Sequence, residues 1–331
     1  MDKIKTTLKV SIPDRDGLTI PLVFKQDAAH KVWVNWGDGS YPETYSYQGL
    51  IETSHKYAAS GDYIITMEAV DEGYIILGGG YTGGNAVGGS DEAAARMLVE
   101  VCIGTDVTGI SDYAFRNCEN LEKVTFPKTQ ELSIGAYTFE GCMSLEEIAI
   151  PKNISTIERG TFANCSSLRT VYLPSGIYEI ESNVFNNCGQ LRSINLLGVT
   201  NIGKYAFANC RMLREIKLGE SCRNIGQGAF QECSCARTIN LGHAINIEED
   251  AFYNAKSICE LTIPASVDHL GERAFGGCTS LRKIKMEATE PPTLASIRSI
   301  EANEGLKITV PIGSEDAYRR DTNWAAFSYA I

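Results

Sequence analysis

The apolar residues between Ile110 and Met286 recur in a phrase of 22 to 24 residues, which occurs eight times. Each copy has an aliphatic residue, a Phe five positions later, a small residue three positions after the Phe, and then Leu-x-x-Ile-x-Leu. The i, i+2 spacing of the last two apolar positions predicts one short strand per copy. One copy cannot bury all of these side chains, so the copies must stack. The pattern therefore predicts a mainly β solenoid with short helical turns. The anchoring phenylalanines are Phe115, Phe139, Phe162, Phe185, Phe207, Phe230, Phe252 and Phe275.

A second regularity lies two residues after each Phe, where the chain carries Asn, Gly or, once, Glu. Asn and Gly tolerate a positive φ better than other residues do. We therefore expect each helical turn to end in the left-handed region, with local strain at Glu232. These positions are Asn117, Gly141, Asn164, Asn187, Asn209, Glu232, Asn254 and Gly277.

Seven of the eleven cysteines occupy the small position three residues after the Phe, where the seventh copy has Ala255. Stacked strands lie about 4.8 Å apart, so neighbouring thiols could form disulfides. Buried Cys also packs as a small apolar side chain, and Ala255 indicates that volume matters more than sulfur. We therefore expect these cysteines to act as small packing side chains rather than to form disulfides. No paired C-x-x-C has zinc spacing, and we expect neither a metal nor a cofactor.

Segments such as "ISDYAFRNCENLEKVTFP" and "IGKYAFANCRMLREIKLG" resemble the BspA-like leucine-rich repeat, over roughly two thirds of the chain. The resemblance implies a leucine-rich-repeat solenoid. It also implies a bacterial or protist protein that is secreted or attached to the cell surface and that adheres to host or neighbouring-cell proteins.

The first 78 residues read as alternating strands around a Gly-Asp-Gly turn. They resemble a PKD-type, immunoglobulin-like β-sandwich. The resemblance implies that Asp38 caps its own turn and that His55 fills the sandwich edge. Metal binding or acid/base catalysis by this pair is the alternative. The residues that carry the resemblance are Trp36, Gly37, Asp38, Gly39, His55, Tyr57, Gly61 and Tyr63.

The boundaries follow from composition and from where the repeat begins. We predict a PKD-like sandwich at residues 1–78, a Gly-rich linker with a short helix at 79–97, and the solenoid at 98–331. Gly78, Gly80 and Gly83 match the phosphate-loop spacing G-x-G-x-x-G, but acidic residues open the helix that follows and would repel a phosphate. A strand and a helix from about residue 288 are expected to cap the solenoid, with Ser314 starting a helix that runs through Phe327.

Charge argues against a nucleic-acid partner, and hydropathy argues against a membrane-spanning segment. The net charge is -11 without a basic patch of nucleic-acid-binding size, so we expect no nucleic acid. No apolar stretch approaches the roughly 20 residues that cross a bilayer. The chain as given starts with a strand pattern and without an export signal, so the extracellular or cell-surface location is implied by the resemblance.

Binding is expected on the outward residues of the strands, because neighbouring side chains of a strand point to opposite faces. The candidate ligand face is Thr170, Tyr172, Asn195, Lys217 and Asn240. The candidate basic rim is Arg169, Arg192, Arg214, Arg237 and Arg282. The alternatives are a merely solvated strand face and a rim neutralised by Glu146, Glu215 and Glu260.

No catalytic motif stands out from the repeat, so we expect a noncatalytic protein. The favoured function is a monomeric interaction or adhesion protein that binds a host or neighbouring-cell protein or glycan on the strand face. A structural spacer of the cell envelope and an extracellular hydrolase are the alternatives.

Overall fold

The computed structural model describes residues 3–14, 18–26, 30–70, 72–80, 84–128 and 131–331. The chain forms two compact units. Unit 1 comprises Met1–Ile154 and Gly160–Pro174, and unit 2 comprises Ser155–Arg159 and Ser175–Ile331.

Strands dominate the described residues, as the sequence predicts. Two short helices are described, α1 (Glu92–Ala95) and α2 (Glu315–Arg320), with 3₁₀ turns at Ile297–Ser299 and Trp324–Phe327. The strands in chain order are β1 (Thr6–Ile12), β2 (Thr19–Gln26), β3 (Val32–Asn35), β4 (Glu43–Tyr45), β5 (Gly49–Lys56), β6 (Gly61–Ala69), β7 (Ile75–Leu77), β8 (Leu98–Cys102), β9 (Val107–Ile110), β10 (Lys123–Thr125), β11 (Ser133–Ile134), β12 (Glu147–Ala149), β13 (Thr156–Ile157), β14 (Thr170–Tyr172), β15 (Glu179–Ile180), β16 (Asn201–Ile202), β17 (Glu215–Lys217), β18 (Asn224–Ile225), β19 (Thr238–Asn240), β20 (Asn246–Ile247), β21 (Glu260–Ile263), β22 (His269–Leu270), β23 (Lys283–Met286), β24 (Thr293–Leu294) and β25 (Lys307–Thr309).

In unit 1 the N-terminal strands and the first repeat strands share two sheets. One sheet has the order β10-β8-β1-β6-β3-β4, and the other has the order β11-β9-β7-β2-β5. Strand β1 pairs antiparallel with both β6 and β8, and β8 pairs parallel with β10. The repeat strands therefore cover edges that the N-terminal strands would otherwise expose. The sequence pattern gives no sign of this pairing, because it joins strands about 90 residues apart.

The described part of the Gly-rich segment packs along β2. Val23 donates its N–H to the Ala86 carbonyl at 2.9 Å, and Gly88 donates to the Pro21 carbonyl at 3.0 Å. Gly83 of the G-x-G-x-x-G match lies outside the described residues. Helix α1 follows, and the Asp91 carboxylate accepts from the N–H groups of Ala93 and Ala94 at its start.

The repeat turns stack in register within each unit. In unit 2 a parallel sheet has the order β13-β15-β16-β18-β20-β22-β24, with one two-residue strand per turn. The longer strands pair as β17-β19 and as β21-β23-β25, and in unit 1 β12 pairs with β14. Phenylalanines of successive turns stack with ring centroids 5.0 Å apart for Phe207 and Phe230, and all eight anchors are fully buried. The predicted leucine-rich-repeat solenoid fold is confirmed.

The left-handed positions after each Phe are also as predicted. Asn209 has a φ of 62° and Glu232 a φ of 60°. The N–H of Asn209 donates to the Gln231 carbonyl of the next turn at 2.8 Å, and the N–H of Glu232 donates to Tyr253 at 2.8 Å. The left-handed residue therefore aims its N–H at the neighbouring turn, which explains why Glu232 keeps this conformation at a cost.

The ladder cysteines are buried thiols. In five of them the Sγ–H donates to a backbone carbonyl of the preceding turn, namely in Cys142, Cys165, Cys210, Cys233 and Cys278. Cys142 Sγ donates to the Phe115 carbonyl at 3.2 Å, and Cys210 Sγ donates to the Phe185 carbonyl at 3.2 Å. At the first turn Asn85 takes the place of that carbonyl, because its Oδ1 accepts from Cys118 Sγ at 3.8 Å. Its amide NH₂ also donates to Cys118 Sγ at 3.4 Å and to the Arg116 carbonyl at 2.7 Å. Sulfur thus contributes a hydrogen bond as well as volume.

The C-terminal cap differs from the prediction in one respect. Tyr318, Trp324 and Phe327 are buried as expected. However, the Ser314 side chain makes no capping hydrogen bond and α2 ends at Arg320, so the predicted helix through Phe327 is wrong. Asp321 has a φ of -65° and a ψ of 138°, which is extended backbone and ends the helix.

Candidate ligand-binding face

The outward positions of the longer strands alternate with buried ones, as the repeat predicts. In β14 Val171 is buried between the half-buried Thr170 and the exposed Tyr172, and β17 and β19 show the same alternation. Tyr172 exposes 57% of its surface. A large aromatic side chain left in solvent at the end of a strand is available to contact a partner.

Unit 1 has an open groove of about 1210 Å³ beside Tyr172. Its walls come from β10 and β12, which are edge strands of different sheets. The apolar part of its lining, which we call the floor, includes the buried or half-buried side chains of Phe126, Ile150 and Pro151. Charged residues of both signs surround this floor, namely Glu100, Glu122, Lys123, Lys128, Glu146, Glu147 and Lys152.

The sequence identified Tyr172 but missed the rest of this groove. Phe126 and Ile150 fill the last apolar position of their repeats, which the periodicity assigns to the core. The groove arises because β10 and β12 belong to separate sheets, and hydrophobic periodicity carries no information on which neighbouring strands pair. The proline two residues after the end of each strand is the available sequence signal, since Pro cannot donate to a ladder. These residues are Pro127 and Pro151.

In unit 2 two of the candidate residues also stabilise their own turns. The Asn195 side-chain oxygen accepts from the Leu197 N–H at 3.2 Å, and the Asn240 oxygen accepts from the Gly242 N–H at 2.8 Å. Lys217 stands opposite Asn240 in the β17-β19 pair and forms an ion pair of 2.9 Å with Glu215. The amide NH₂ groups of both asparagines remain as donors on this exposed surface.

The five rim arginines are not equivalent. In unit 1 Arg169 pairs with Glu146 at 3.1 Å, as one sequence alternative expects. In unit 2 Arg282 donates to the carbonyls of Thr279 and Leu281. The other expected neutralisers are engaged elsewhere, since Glu215 binds Lys217 and Glu260 binds Lys283.

Arg192, Arg214 and Arg237 of unit 2 are exposed, and within the described residues their guanidinium groups have neither an ion pair nor a hydrogen bond. They follow one another in consecutive turns. The N–H of Arg237 donates to the Arg214 carbonyl at 2.9 Å, and the N–H of Arg214 donates to the Arg192 carbonyl at 3.4 Å.

The Asp38–His55 pair of unit 1 is held by a turn cap and by ring stacking. Asp38 accepts from the Ser40 N–H at 3.0 Å, which caps its own turn, and lies 2.7 Å from His55 Nε2. Hydrogen bonds from Ser40 and His55 hold the pKa of Asp38 well below its usual range. The His55 ring stacks on Trp36 at 5.1 Å.

The described part of the chain contains no group of three or more His, Cys, Asp or Glu side chains placed to hold a metal ion. Within the same residues, no helix has the length and apolar character required to span a membrane.

Several solved structures resemble the chain. The leucine-rich repeat protein TpLRR of T. pallidum is 27% identical with a TM-score of 0.41, and the match covers 44% of this chain and 69% of that one. A leucine-rich cell surface protein of Faecalibacterium prausnitzii is 23% identical with a TM-score of 0.34, and the match covers 69% of this chain and 83% of that one. A leucine-rich repeat protein of Bacteroides ovatus is 19% identical with a TM-score of 0.30, and the match covers 73% of this chain and 89% of that one. No curated protein sequence matches the chain.

The family described as the BspA type leucine rich repeat region matches residues 96–213 and 200–301, with six copies. These ranges contain the Phe anchors, the cysteine ladder and the strands whose outward faces are described above. They cover more than half of the chain. The chain therefore belongs to the BspA type leucine-rich repeat family.

Proposed function

We propose that this is a noncatalytic interaction protein of the cell surface or the secreted fraction, which binds a protein or glycan on the outward face of its repeat strands. The groove of unit 1 carries the proposal. It combines an open volume of about 1210 Å³ with the exposed ring of Tyr172.

The composition of the groove favours a protein ligand at this place. Binding energy at protein interfaces concentrates in aromatic anchors that sit in pockets and are ringed by polar groups. Tyr172 supplies such an anchor beside the apolar floor at Phe126 and Ile150. Charges of both signs around the floor, such as Glu147 and Lys152, suit a partner with mixed surface charge.

The N-terminal strands fit a role in presentation. We propose that residues 1–78 are a PKD-like module, in which the Asp38 cap and the stacked rings of Trp36, His55 and Tyr57 shape one end. These contacts are internal to the module, so they support its shape rather than a reaction.

The test is binding of the full chain to arrays of purified extracellular proteins and of glycans, followed by titration of each hit. We expect a saturable ligand, and we expect Tyr172→Ala to weaken it at least about tenfold, which is about 1.4 kcal/mol. Tyr178→Ala is the matched control, because Tyr178 exposes 48% of its surface outside the groove. Absence of any saturable ligand, or equal loss in the two variants, would overturn the proposal.

A further inference from the structure

The three unneutralised arginines of unit 2 form a regular column. Backbone hydrogen bonds join Arg192, Arg214 and Arg237 in consecutive turns. Neighbouring strands lie about 4.8 Å apart, so the three side chains leave the backbone at about that interval. Stacked like charges destabilise a sheet unless something of opposite charge compensates them.

The surrounding chain adds to this positive charge. Residues 189–243 carry seven basic and three acidic residues, whereas the whole chain has a net charge of -11. Of the three acids, Glu215 already pairs with Lys217, and Glu232 accepts from the Asn254 side chain at 2.6 Å. The turns that carry the column therefore have a net positive charge within an acidic protein, and a ligand can supply the counter-charge that the column lacks.

The neighbouring outward side chains are polar. In these three turns they are Ser193, Asn195, Glu215, Lys217, Thr238 and Asn240, all of them exposed. Leu197 is also exposed, but it lies five residues after Arg192 in the chain, at the other end of the outward segment of that turn. The column thus lacks the apolar anchor that a protein interface uses and offers hydroxyl and amide groups instead.

We propose that the column of Arg192, Arg214 and Arg237 binds a linear anionic polysaccharide, sulfated or carboxylated. Guanidinium groups bind sulfate and carboxylate oxygens in a bidentate manner, and the adjacent Ser, Thr and Asn side chains bind sugar hydroxyls. An acidic peptide fits less well, because side chains on one face of an extended peptide recur every ~6.6 Å against the ~4.8 Å of the column. The inference rests on the proposed function, since it names one ligand class of the same strand faces.

The experiment measures binding of the full chain to dextran sulfate, with neutral dextran and poly-glutamate as comparison polymers. We expect dextran sulfate to bind, neutral dextran not to bind, and poly-glutamate to bind more weakly. The combined variant Arg192→Gln, Arg214→Gln and Arg237→Gln is expected to raise the Kd for dextran sulfate at least about tenfold. It should also reduce the slope of log K against log salt by about two, because fewer counterions are released.

Two variants serve as controls. Arg298→Gln removes an exposed charge that lies 4.0 Å from Glu272, and Arg320→Gln removes an exposed charge of helix α2. Both should keep the Kd within about twofold. The proposal is overturned if either control matches the triple variant, if neutral dextran binds equally, or if poly-glutamate binds as tightly as dextran sulfate. Tyr172 lies in unit 1, whereas the arginine column lies in unit 2. A failure of the groove proposal therefore leaves the dextran sulfate result interpretable by itself.

Discussion

A second series of left-handed residues, two positions before each Phe, sets the backbone of every repeat. The residue types at these positions differ, so the sequence pattern does not reveal the series. The series is Tyr113, Tyr137, Gly160, Asn183, Tyr205, Gly228, Asp250 and Arg273, with φ between 54° and 62°. As at the Asn positions, the N–H points to the next turn, and Tyr205 donates to the Gln227 carbonyl at 2.9 Å. Inter-turn hydrogen bonds offset the cost of this conformation in Tyr113 and Tyr205.

Gly228 tests this account. Its φ is 60°, and a Cβ built there would collide with the Tyr205 ring. We expect Gly228→Ala to lower the free energy of unfolding by about 2 kcal/mol, from left-handed strain and overpacking together. Gly189→Ala is the control, since a Cβ there meets nothing within 4 Å, and it should be neutral or slightly stabilising. Urea denaturation measures both, and equal effects would contradict the explanation.

At the scale of elements, the ends of the repeat stack need polar as well as apolar closure. Trp324 is fully buried, and its Nε1 donates to the Pro292 carbonyl at 2.7 Å. The Tyr318 hydroxyl donates to the Ala288 carbonyl at 2.8 Å. These two side chains cover the apolar end of the repeat stack. They also donate hydrogen bonds to two carbonyls that do not bind a further turn.

Trp324→Ala should therefore destabilise unit 2 by about 3–5 kcal/mol, through the cavity and the unpaired Pro292 carbonyl. The effect should appear first as faster amide exchange at Ile308, whose N–H bonds to the Ala330 carbonyl at 2.9 Å. Tyr329→Ala is the comparison in the same cap, because Tyr329 exposes 64% of its surface. Similar exchange in the two variants would show that the cap does not hold the last turns.

At the scale of the whole molecule, the buried thiols link stability to alkaline pH. Burial raises the pKa of Cys118, Cys165 and Cys278 to about 12, from a value of 9.0. In the unfolded chain these thiols ionise above pH 9, while in the folded chain they stay protonated. The folded state then binds more protons than the unfolded state, so its stability is complete below pH 9 and falls as pH rises toward 12.

Each such thiol lowers the free energy of unfolding by up to about 1.4 kcal/mol per pH unit above pH 9. We expect the urea midpoint, measured with a reducing agent, to fall steeply between pH 9 and pH 10. Cys165→Ala should reduce that slope by the share of one thiol, because one ionisation is removed. A slope unchanged by the substitution would show that the ladder thiols do not cause the alkaline loss of stability.

The local conformations followed from particular residues. The Asn and Gly positions after each Phe predicted positive φ because few other residues adopt it readily, and Glu232 was found strained as expected. The candidate face was only partly readable. Tyr172 could be placed on an outward strand position, but the engagement of Asn195 and Asn240 with their own turns depends on loop geometry that periodicity does not contain.

The sequence by itself determined the repeat: its length, its buried column of Phe and Cys, and the alternation of buried and outward residues in its longer strands. These follow because a periodic apolar pattern has one way to bury itself. Only the tertiary structure decided which charges meet, which strands pair, and where a groove opens. Those outcomes depend on distances between residues far apart in the chain. Arg169 forms an ion pair with Glu146, whereas the guanidinium groups of Arg192, Arg214 and Arg237 have no ion pair among the described residues.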